Sequence, residues 1–151
     1  RGFLSTSTTM YQSRYDILGV SVATSIIEDA TGASFDERTV GATVNSVSSL
    51  TASNLLGLDA SENSANFRTF DDFDDYNSYK NSPKLDTVQI EGSNLKMFFN
   101  SYCRVDYVEN NNPNSITTDR TYHKKISVRV YAHGMTDTVK LSTVYSYWYF
   151  R

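Results

Sequence analysis

The sequence predicts an α+β domain in which a long N-terminal helix packs on a four-stranded antiparallel sheet. Two observations lead to this fold class: apolar residues recur at helical spacing near the start of the chain, and apolar and polar residues alternate toward its end. A length of 151 residues is ordinary for one domain with one core. We therefore predict a single domain over 1–151, with the helix at 1–31, a variable connection at 32–86 and the antiparallel sheet at 87–151.

The helix is predicted from apolar residues that recur at steps of three and four between Thr8 and Ala30. This spacing places them on one helical face. Gly32 is a natural end point, since glycine adopts positive φ without steric cost. Gly19, inside the helix, costs roughly 1 kcal/mol relative to alanine, and close packing against another element would be one reason to tolerate it. The predicted face consists of Tyr11, Tyr15, Leu18, Val22 and Ile26, and it is widened by Ile17, Val20 and Ile27.

The length of this helix suggests a contact beyond the domain. A helix of about 25 residues is about 40 Å long. We therefore expect its first part, from Phe3 to Tyr15, to project beyond any sheet that the rest of the chain supplies. A projecting helix implies a partner that covers it.

Residues 33–66 carry no sustained helical or alternating pattern. They are rich in Ser, Thr, Asn, Ala and Gly, which favour turns and loops. We predict an irregular connection with one short helix or strand. A connection of this length is uncommon in a compact domain and usually indicates a functional surface or short elements that the pattern hides.

Alternating apolar residues then predict four strands, and their outward Lys125, Ser127 and Arg129 indicate a sheet with one solvated face. The strands are predicted at about 87–91, 96–108, 122–131 and 138–150. The asparagine-rich segment 110–114 is predicted as a loop, and the short connection 133–137 favours an antiparallel hairpin. The inward residues are Val88 and Ile90, then Phe99, Cys103, Val105 and Tyr107, then Ile126, Val128 and Val130, and finally Val139, Leu141 and Tyr145.

The two faces of the last strand are both apolar toward its end. Val144, Trp148 and Phe150 lie opposite the inward residues of that strand. We therefore expect another part of the molecule to cover this end of the sheet.

Composition excludes several classes of function. A net charge of -3 argues against a nucleic-acid partner, which needs clustered Lys and Arg. The densest basic run, His123–Lys125, is interpreted as a solvated strand face. The single cysteine, Cys103, excludes an intrachain disulfide and a thiolate zinc site, and we predict that it is buried, with an interchain bridge as the alternative. No apolar run reaches the length of about 20 residues that a membrane span needs.

The segment Phe70–Tyr79 combines aromatic residues with paired carboxylates. In one interpretation its oxygen ligands bind Ca²⁺, although the spacing does not match the EF-hand loop. In the other, which we favour, Phe70, Phe73 and Tyr76 pin a turn to the core while the carboxylates are solvated or cap backbone N–H groups. The candidate calcium ligands are Asp71, Asp72, Asp74, Asp75 and Asn77.

No motif of an enzyme occurs in the chain. His123 and His133 are the only histidines, and no Gly-x-Ser-x-Gly, GxGxxG or P-loop pattern accompanies them. Paired acids for glycoside hydrolysis can come from anywhere in a chain, and nothing here favours them. We predict a protein that is not an enzyme, with no catalytic residues, no cofactor and no metal site.

Several stretches resemble type IV pilin and pseudopilin-like proteins, in particular prepilin-like proteins of the MSHA type. They are Ser25–Ala30, Phe35–Glu37, Phe70–Asn77, Tyr122–Val128 and Thr138–Ser142. Two features of that family are not in this sequence: its apolar N-terminal segment and its paired C-terminal cysteines. The first leads us to expect a fragment whose upstream part has been removed.

The resemblance implies a structural subunit, major or minor, of a type IV pilus-like or pseudopilus filament. Such a subunit would be held in the bacterial inner membrane by an upstream helix before assembly. It would then pack with other pilin-like subunits into an extracellular filament, with the helix at the centre and the head at the surface.

Two alternatives remain open at this point. The first is a surface adhesin or binding module that uses a Tyr-rich sheet, including Tyr145 and Trp148, and the loop at 110–120. The second is a hydrolase that depends on His123.

Overall fold

The computed structural model describes residues 2–92 and 94–148, with side chains from Arg14 onward. It is α+β, with one helix packed on an antiparallel sheet, and this confirms the predicted fold class. Short 3₁₀ helices lie in the connection between the helix and the sheet. The main elements are α1 (Gly2–Gly32), β1 (Lys84–Gln89), β2 (Lys96–Glu109), β3 (Asn112–Thr117), β4 (His123–Tyr131) and β5 (Val139–Ser146).

The sheet has five strands, so the predicted number of four is wrong. Its order is β1-β2-β4-β5, and β3 pairs with the C-terminal end of β2. β3 covers much of the segment 110–117, whose first residues were predicted as a loop. This strand is largely exposed and its only large apolar residue is Ile116, so apolar alternation gave no signal for it.

The other strand boundaries agree with the prediction within two residues, except at the end of β5 and the start of β1. That strand begins at Lys84, three positions before its predicted start at Thr87. Ile90 was predicted inside the strand and lies just after it, where its N–H donates to Leu95 O in the connection to β2. β5 ends at Ser146, before the predicted end at Phe150, and Phe150 itself lies outside the described residues.

α1 buries only one narrow stripe against the sheet. Ala23, Ile26 and Ala30 are buried, and Tyr15, Leu18, Val22 and Ile27 pack against the same core cluster. Ile17 and Val20 were predicted to widen the buried face, but they are 66% and 46% exposed. They face away because the sheet lies along one side of the helix. The side chains of Phe3 to Ser13, including Tyr11, lie outside the described part, so the predicted projection of this segment stays a prediction.

α1 packs closely against the β4–β5 hairpin at Gly19. A Cβ built at Gly19 would lie 2.8 Å from Met135 Cε and 3.3 Å from Val139 Cγ2. Close packing is therefore the reason that a glycine is tolerated here, as the sequence suggested. Among the described helices, none is both long and apolar enough to cross a membrane.

A second core cluster lies under the connection. It contains Phe35, Val44, Leu50, Leu56 and Tyr107, and it meets the first cluster at Tyr145. The connection therefore contains short structured elements, as its length suggested. Four of its 3₁₀ helices begin at a side-chain cap, from Asp36, Ser46, Asn66 and Asp72.

The connection also closes a gap on one edge of β2. β1 pairs with β2 up to Ser101 and β3 begins to pair at Tyr107, which leaves the edge between them without a strand. Asn77 fills this gap: its Oδ1 accepts from Val105 N at 3.0 Å and its Nδ2 donates to Leu56 O at 3.0 Å. The amide thus replaces a strand at this position of the sheet.

Candidate functional site

β4 carries a lysine into the core. Lys124 has the same strand parity as Ile126 and Val128, so its side chain enters the interior of the sheet and is completely buried. Its register partners are Tyr107 on β2 and Tyr145 on β5. The prediction that the run His123–Lys125 is a solvated face is wrong for Lys124. The parity of the alternating pattern was the signal that could have identified it.

The Lys124 ammonium uses all of its donors. It donates to Phe35 O at 2.9 Å, to Asp36 Oδ2 at 2.7 Å and to Asp74 Oδ1 at 2.7 Å. The rings of Phe35 and Tyr107 lie 4.5 Å and 5.2 Å from its Nζ. Three N–H groups meet three oxygen acceptors, so no donor of the buried ammonium is left without a partner. We call Lys124, Asp36 and Asp74 the buried lysine site.

Asp36 is held firmly within this site. Its Oδ1 accepts from Arg38 N at 3.0 Å and from Thr51 Oγ1 at 2.9 Å, and its Oδ2 accepts from Thr51 N at 3.1 Å. Tyr107 OH donates to Thr51 O at 2.7 Å and lies 3.4 Å from Asp36 Oδ2. Burial raises the pKa of Asp36, but the ion pair with Lys124 and these hydrogen bonds outweigh it and hold the pKa below its usual value. Asp36 is therefore the ionised partner of the lysine.

Asp74 differs from Asp36 in its surroundings. Burial raises its pKa, and the negative charge of Asp36 acts in the same direction, so the attraction of Lys124 does not restore the usual value. Asp74 also contacts the carboxyl of Asp72, whose own pKa is raised by burial and by Asp74 and Asp75. Two different carboxyl groups therefore contact the same amine: Asp36 has a lowered pKa, and Asp74 has a raised pKa.

The acidic segment forms a capped 3₁₀ helix, Phe73–Tyr79. Asp72 Oδ1 accepts from Asp74 N at 2.8 Å and from Asp75 N at 3.2 Å, while Asp75 Oδ2 accepts from Asp71 N and Asp72 N, both at 3.0 Å. The interpretation that the carboxylates cap backbone N–H groups is confirmed for this pair. Solvation is wrong for Asp72, Asp74 and Asp75, which are buried. Phe73 and Tyr76 anchor the segment in the core, as predicted.

Several carboxylates converge beside this helix. Oxygens of Glu62, Asp71 and Asp75 lie within 4.8 Å of one another, and so do those of Glu37, Asp71 and Asp72. Burial and the neighbouring charges of Asp59, Asp71 and Glu62 raise the pKa of Glu37 to about 7. We call Glu37, Asp59, Glu62, Asp71 and Asp75 the acidic cluster.

The acidic cluster contains only two residues of the ligand set that the sequence suggested for calcium, Asp71 and Asp75. Asp74 points to Lys124 and Asn77 to the edge of β2, whereas Glu37 and Glu62 enter from the connection. The calcium interpretation stays a hypothesis, and a calcium titration of the melting temperature tests it. A rise that Glu62→Gln abolishes would support it, and an unchanged melting temperature would rule it out.

The remaining predicted residues lie apart from these groups. Cys103 is buried in the first core cluster, and burial raises the pKa of its thiol to about 12. His123 Nδ1 lies 2.6 Å from Ser146 Oγ, its register partner on β5, whereas His133 is exposed. The structure does not bring the two histidines together into one site.

The aromatic residues proposed for surface binding have different environments. Tyr145 is half-buried, and its hydroxyl donates to Ala33 O at 3.0 Å, so it belongs to the interior. Trp148 is 79% exposed, so the predicted cover over the end of the sheet does not reach its side chain. The outer face of the sheet carries a separate group, which we call the outer sheet patch: Leu85, Phe98 and Tyr131, which are 75%, 64% and 47% exposed.

No protein-family model, curated protein or solved structure matches this chain.

Proposed function

We propose that this chain is the head domain of a subunit of a type IV pilus-like or pseudopilus filament, and that α1 carries its assembly contacts. The observation that supports the proposal is the division of α1 into two faces. Ala23 and Ile26 are buried against the sheet, whereas Ile17 and Val20 are exposed on the other side. A helix with aliphatic residues on a solvated face gains from a packing partner.

The free energy gained by covering these aliphatic side chains is large enough to stabilise a contact between helices. Burying a Val or Ile side chain fully contributes about 1.5–3 kcal/mol. The exposed face also carries the small residues Ser21, Thr24 and Ser25, which allow a second helix to approach closely. Repeated along a filament, such a contact would place α1 inside and the sheet outside.

The remaining parts of the proposal follow from this role. The subunit would be anchored in the inner membrane through a segment upstream of Arg1 before assembly, and would be extracellular afterwards. Its partners would be other pilin-like subunits. Assembly of this kind requires no reaction, cofactor or nucleic acid.

The native gene and its filaments provide the test. We expect the sequence upstream of Arg1 to encode about 20 apolar residues behind a short basic leader. We expect Ile17→Asp with Val20→Asp in the native gene to abolish filaments while the isolated head keeps its melting temperature. Leu55→Asp is the matched control, since Leu55 is 68% exposed and belongs to the connection rather than to α1. Normal filaments in the double variant, or a soluble domain encoded upstream, would contradict the proposal.

A second candidate function is binding to a surface or glycan through the outer sheet patch. It is favoured by the exposed large apolar side chains of that patch, because apolar surface of this kind is typical of interaction sites. We expect Phe98→Ser to reduce binding of the isolated head to cells or glycans without lowering its melting temperature. Lys96→Ser, two residues away on the same outward face, is the control. Equal binding by the two variants would exclude the patch.

A further inference from the structure

The buried lysine site brings an amine and two carboxyls into contact in a place without solvent. Lys124 Nζ lies 2.7 Å from an oxygen of Asp36 and 2.7 Å from an oxygen of Asp74, and none of the three side chains is more than 1% exposed. The contacts join segments 88 and 50 positions apart in the chain. We propose that Lys124 and Asp74 form an intramolecular isopeptide bond, in which lysine Nζ is bonded to aspartate Cγ.

The two carboxyls divide the roles in this reaction. Asp36 accepts hydrogen bonds from Arg38 N, Thr51 N and Thr51 Oγ1, which keep it a carboxylate and orient it. A carboxylate stabilised in this way is a poor acyl donor, and its Oδ2 lies 2.7 Å from Lys124 Nζ, in position to take a proton from the ammonium. Asp72 lies beside Asp74, since its Oδ1 accepts from Asp74 N at 2.8 Å, and its carboxyl is the source of a proton for Asp74. Asp36 is therefore the base and Asp74 the acyl donor.

The reaction balances without any further reagent. Lys124 passes one ammonium proton to Asp36, and Asp72 passes its proton to Asp74. The neutral amine then attacks Asp74 Cγ, the N–C bond forms, and one C–O bond breaks as water leaves. That water consists of the Asp74 hydroxyl and the second proton that the nitrogen loses, and the proton held by Asp36 passes to Asp72. Overall, one ammonium and one carboxylate become one amide and one water.

Burial supplies the driving force that dilute solution lacks. An ammonium and a carboxylate in water are well solvated and do not condense, but in a core without solvent their charges carry a desolvation cost that a neutral amide avoids. The fold also holds the reacting groups in contact, and well-oriented intramolecular reactions reach effective concentrations of about 10⁵–10⁸ M. The rings of Phe35 and Tyr107 complete the apolar wall around Nζ.

The bond would join the helix Phe73–Tyr79 to β4 covalently. It would cross-link positions 74 and 124 and so close a loop through β1, β2 and β3. Pulling on the chain could not separate this part of the sheet from the capped acidic segment. The inference does not depend on the proposed filament function, since it concerns the chain alone.

Mass spectrometry of the denatured wild-type chain tests the bond directly. We expect a mass about 18 Da below the sequence mass, because one water is lost. Trypsin should fail to cut after Lys124 and should release residues 69–80 joined to residues 121–125. A full sequence mass after prolonged incubation at neutral pH would overturn the proposal. A cross-link from Lys124 to Asp36, or a water lost elsewhere, would overturn it as well.

Three variants distinguish loss of the bond-forming reaction from a defect in folding. Lys124→Arg and Asp36→Asn should both show the full sequence mass, the first because it removes the nucleophile and the second because it removes the base. Lys125→Arg, at the neighbouring residue on the outer face, should keep the mass loss and the cross-linked peptides. A mass loss that persists in Lys124→Arg would overturn the proposal, and this result can be read whether or not the variant folds.

Discussion

Burying the Lys124 ammonium removes it from water, a cost that only a complete set of acceptors can offset. Those acceptors come from two segments: Phe35 and Asp36 follow α1, and Asp74 lies in the capped acidic helix. One side chain of β4 therefore ties two parts of the connection to the sheet. At the scale of the residue, this interaction helps to hold the connection on the sheet.

Replacing Lys124 by methionine should destabilise the fold by about 3–5 kcal/mol, because Asp36 and Asp74 then stay buried with neither a counter-charge nor the proposed bond from Lys124. Urea unfolding measures the loss. Lys125→Met is the matched control, since Lys125 points to the outer face, and we expect it to change the free energy of unfolding by less than about 0.5 kcal/mol. Equal stability of the two variants would contradict the role assigned to Lys124.

At the same scale, Glu37 makes the stability of the fold depend on pH. Burial and the surrounding carboxylates raise its pKa to about 7 in the folded chain. A carboxyl with a raised folded pKa contributes stability that is full below its unfolded pKa and is lost as pH rises through the folded value. We therefore expect the melting temperature to fall between about pH 5 and about pH 8.

Glu37→Gln separates this effect from other titrations. The variant should show a smaller fall over the same range, because it removes one of the repelling charges. Thermal unfolding followed by circular dichroism measures both chains. An equal slope in the two would show that Glu37 does not carry the dependence.

At the scale of the element, α1 and the β4–β5 hairpin meet where Gly19 has no side chain. The methyl end of Met135 occupies the space that a Cβ would take. A methionine tip can move at little cost, but Val139 on the same side is part of β5 and is held by its strand. The contact therefore tolerates a small side chain better than a large one.

Gly19→Leu should destabilise the fold by about 1–3 kcal/mol, because a branched side chain has to displace Val139 as well as Met135. Gly19→Ala should stay within about 1 kcal/mol of the wild type, since the better helix propensity of alanine offsets the displacement of the Met135 tip. Chemical denaturation of both variants measures the difference. Val20→Leu, on the exposed side of the helix, is the control. A leucine tolerated as well as an alanine would contradict close packing at this position.

At the scale of the whole molecule, two core clusters meet at Tyr145. Its ring lies 5.7 Å from that of Phe35 in the second cluster and 5.2 Å from that of Phe73 in the first. The connection is thus packed onto the sheet rather than loosely attached to it. We expect the two clusters to unfold together.

Leu50→Ala should lower the free energy of unfolding by about 2–5 kcal/mol, because Leu50 is only 2% exposed in the second cluster. If the two clusters unfold together, hydrogen exchange should show that the amides of β4, in the first cluster, lose as much protection as those of the connection. The matched control is Leu55→Ala, at a leucine of the same connection that is 68% exposed, with a change below about 0.5 kcal/mol. Loss of protection confined to the connection would show that the two clusters unfold separately.

Elements with a strong period could be predicted from the sequence. The inward residues of β2 and β4 follow the alternation of the chain, and the buried stripe of α1 contains Ile26 as its spacing predicted. β3 was not predicted because it lies at an edge and buries no apolar face. The alternation of β4 could have predicted the burial of Lys124, but the charge of its neighbour Lys125 favoured the interpretation of this run as a solvated strand face.

By itself, the sequence determined the class of the fold, the inward faces of its strands and its acidic net charge, because these depend on local period and composition. Tertiary structure alone decided which carboxylates meet Lys124, since Asp36 and Asp74 are brought to it from positions 88 and 50 residues away. It also decided which side of α1 is left exposed, because one sheet can cover only one face of a helix. Contacts between distant segments leave no period in the chain, so only the folded molecule reveals them.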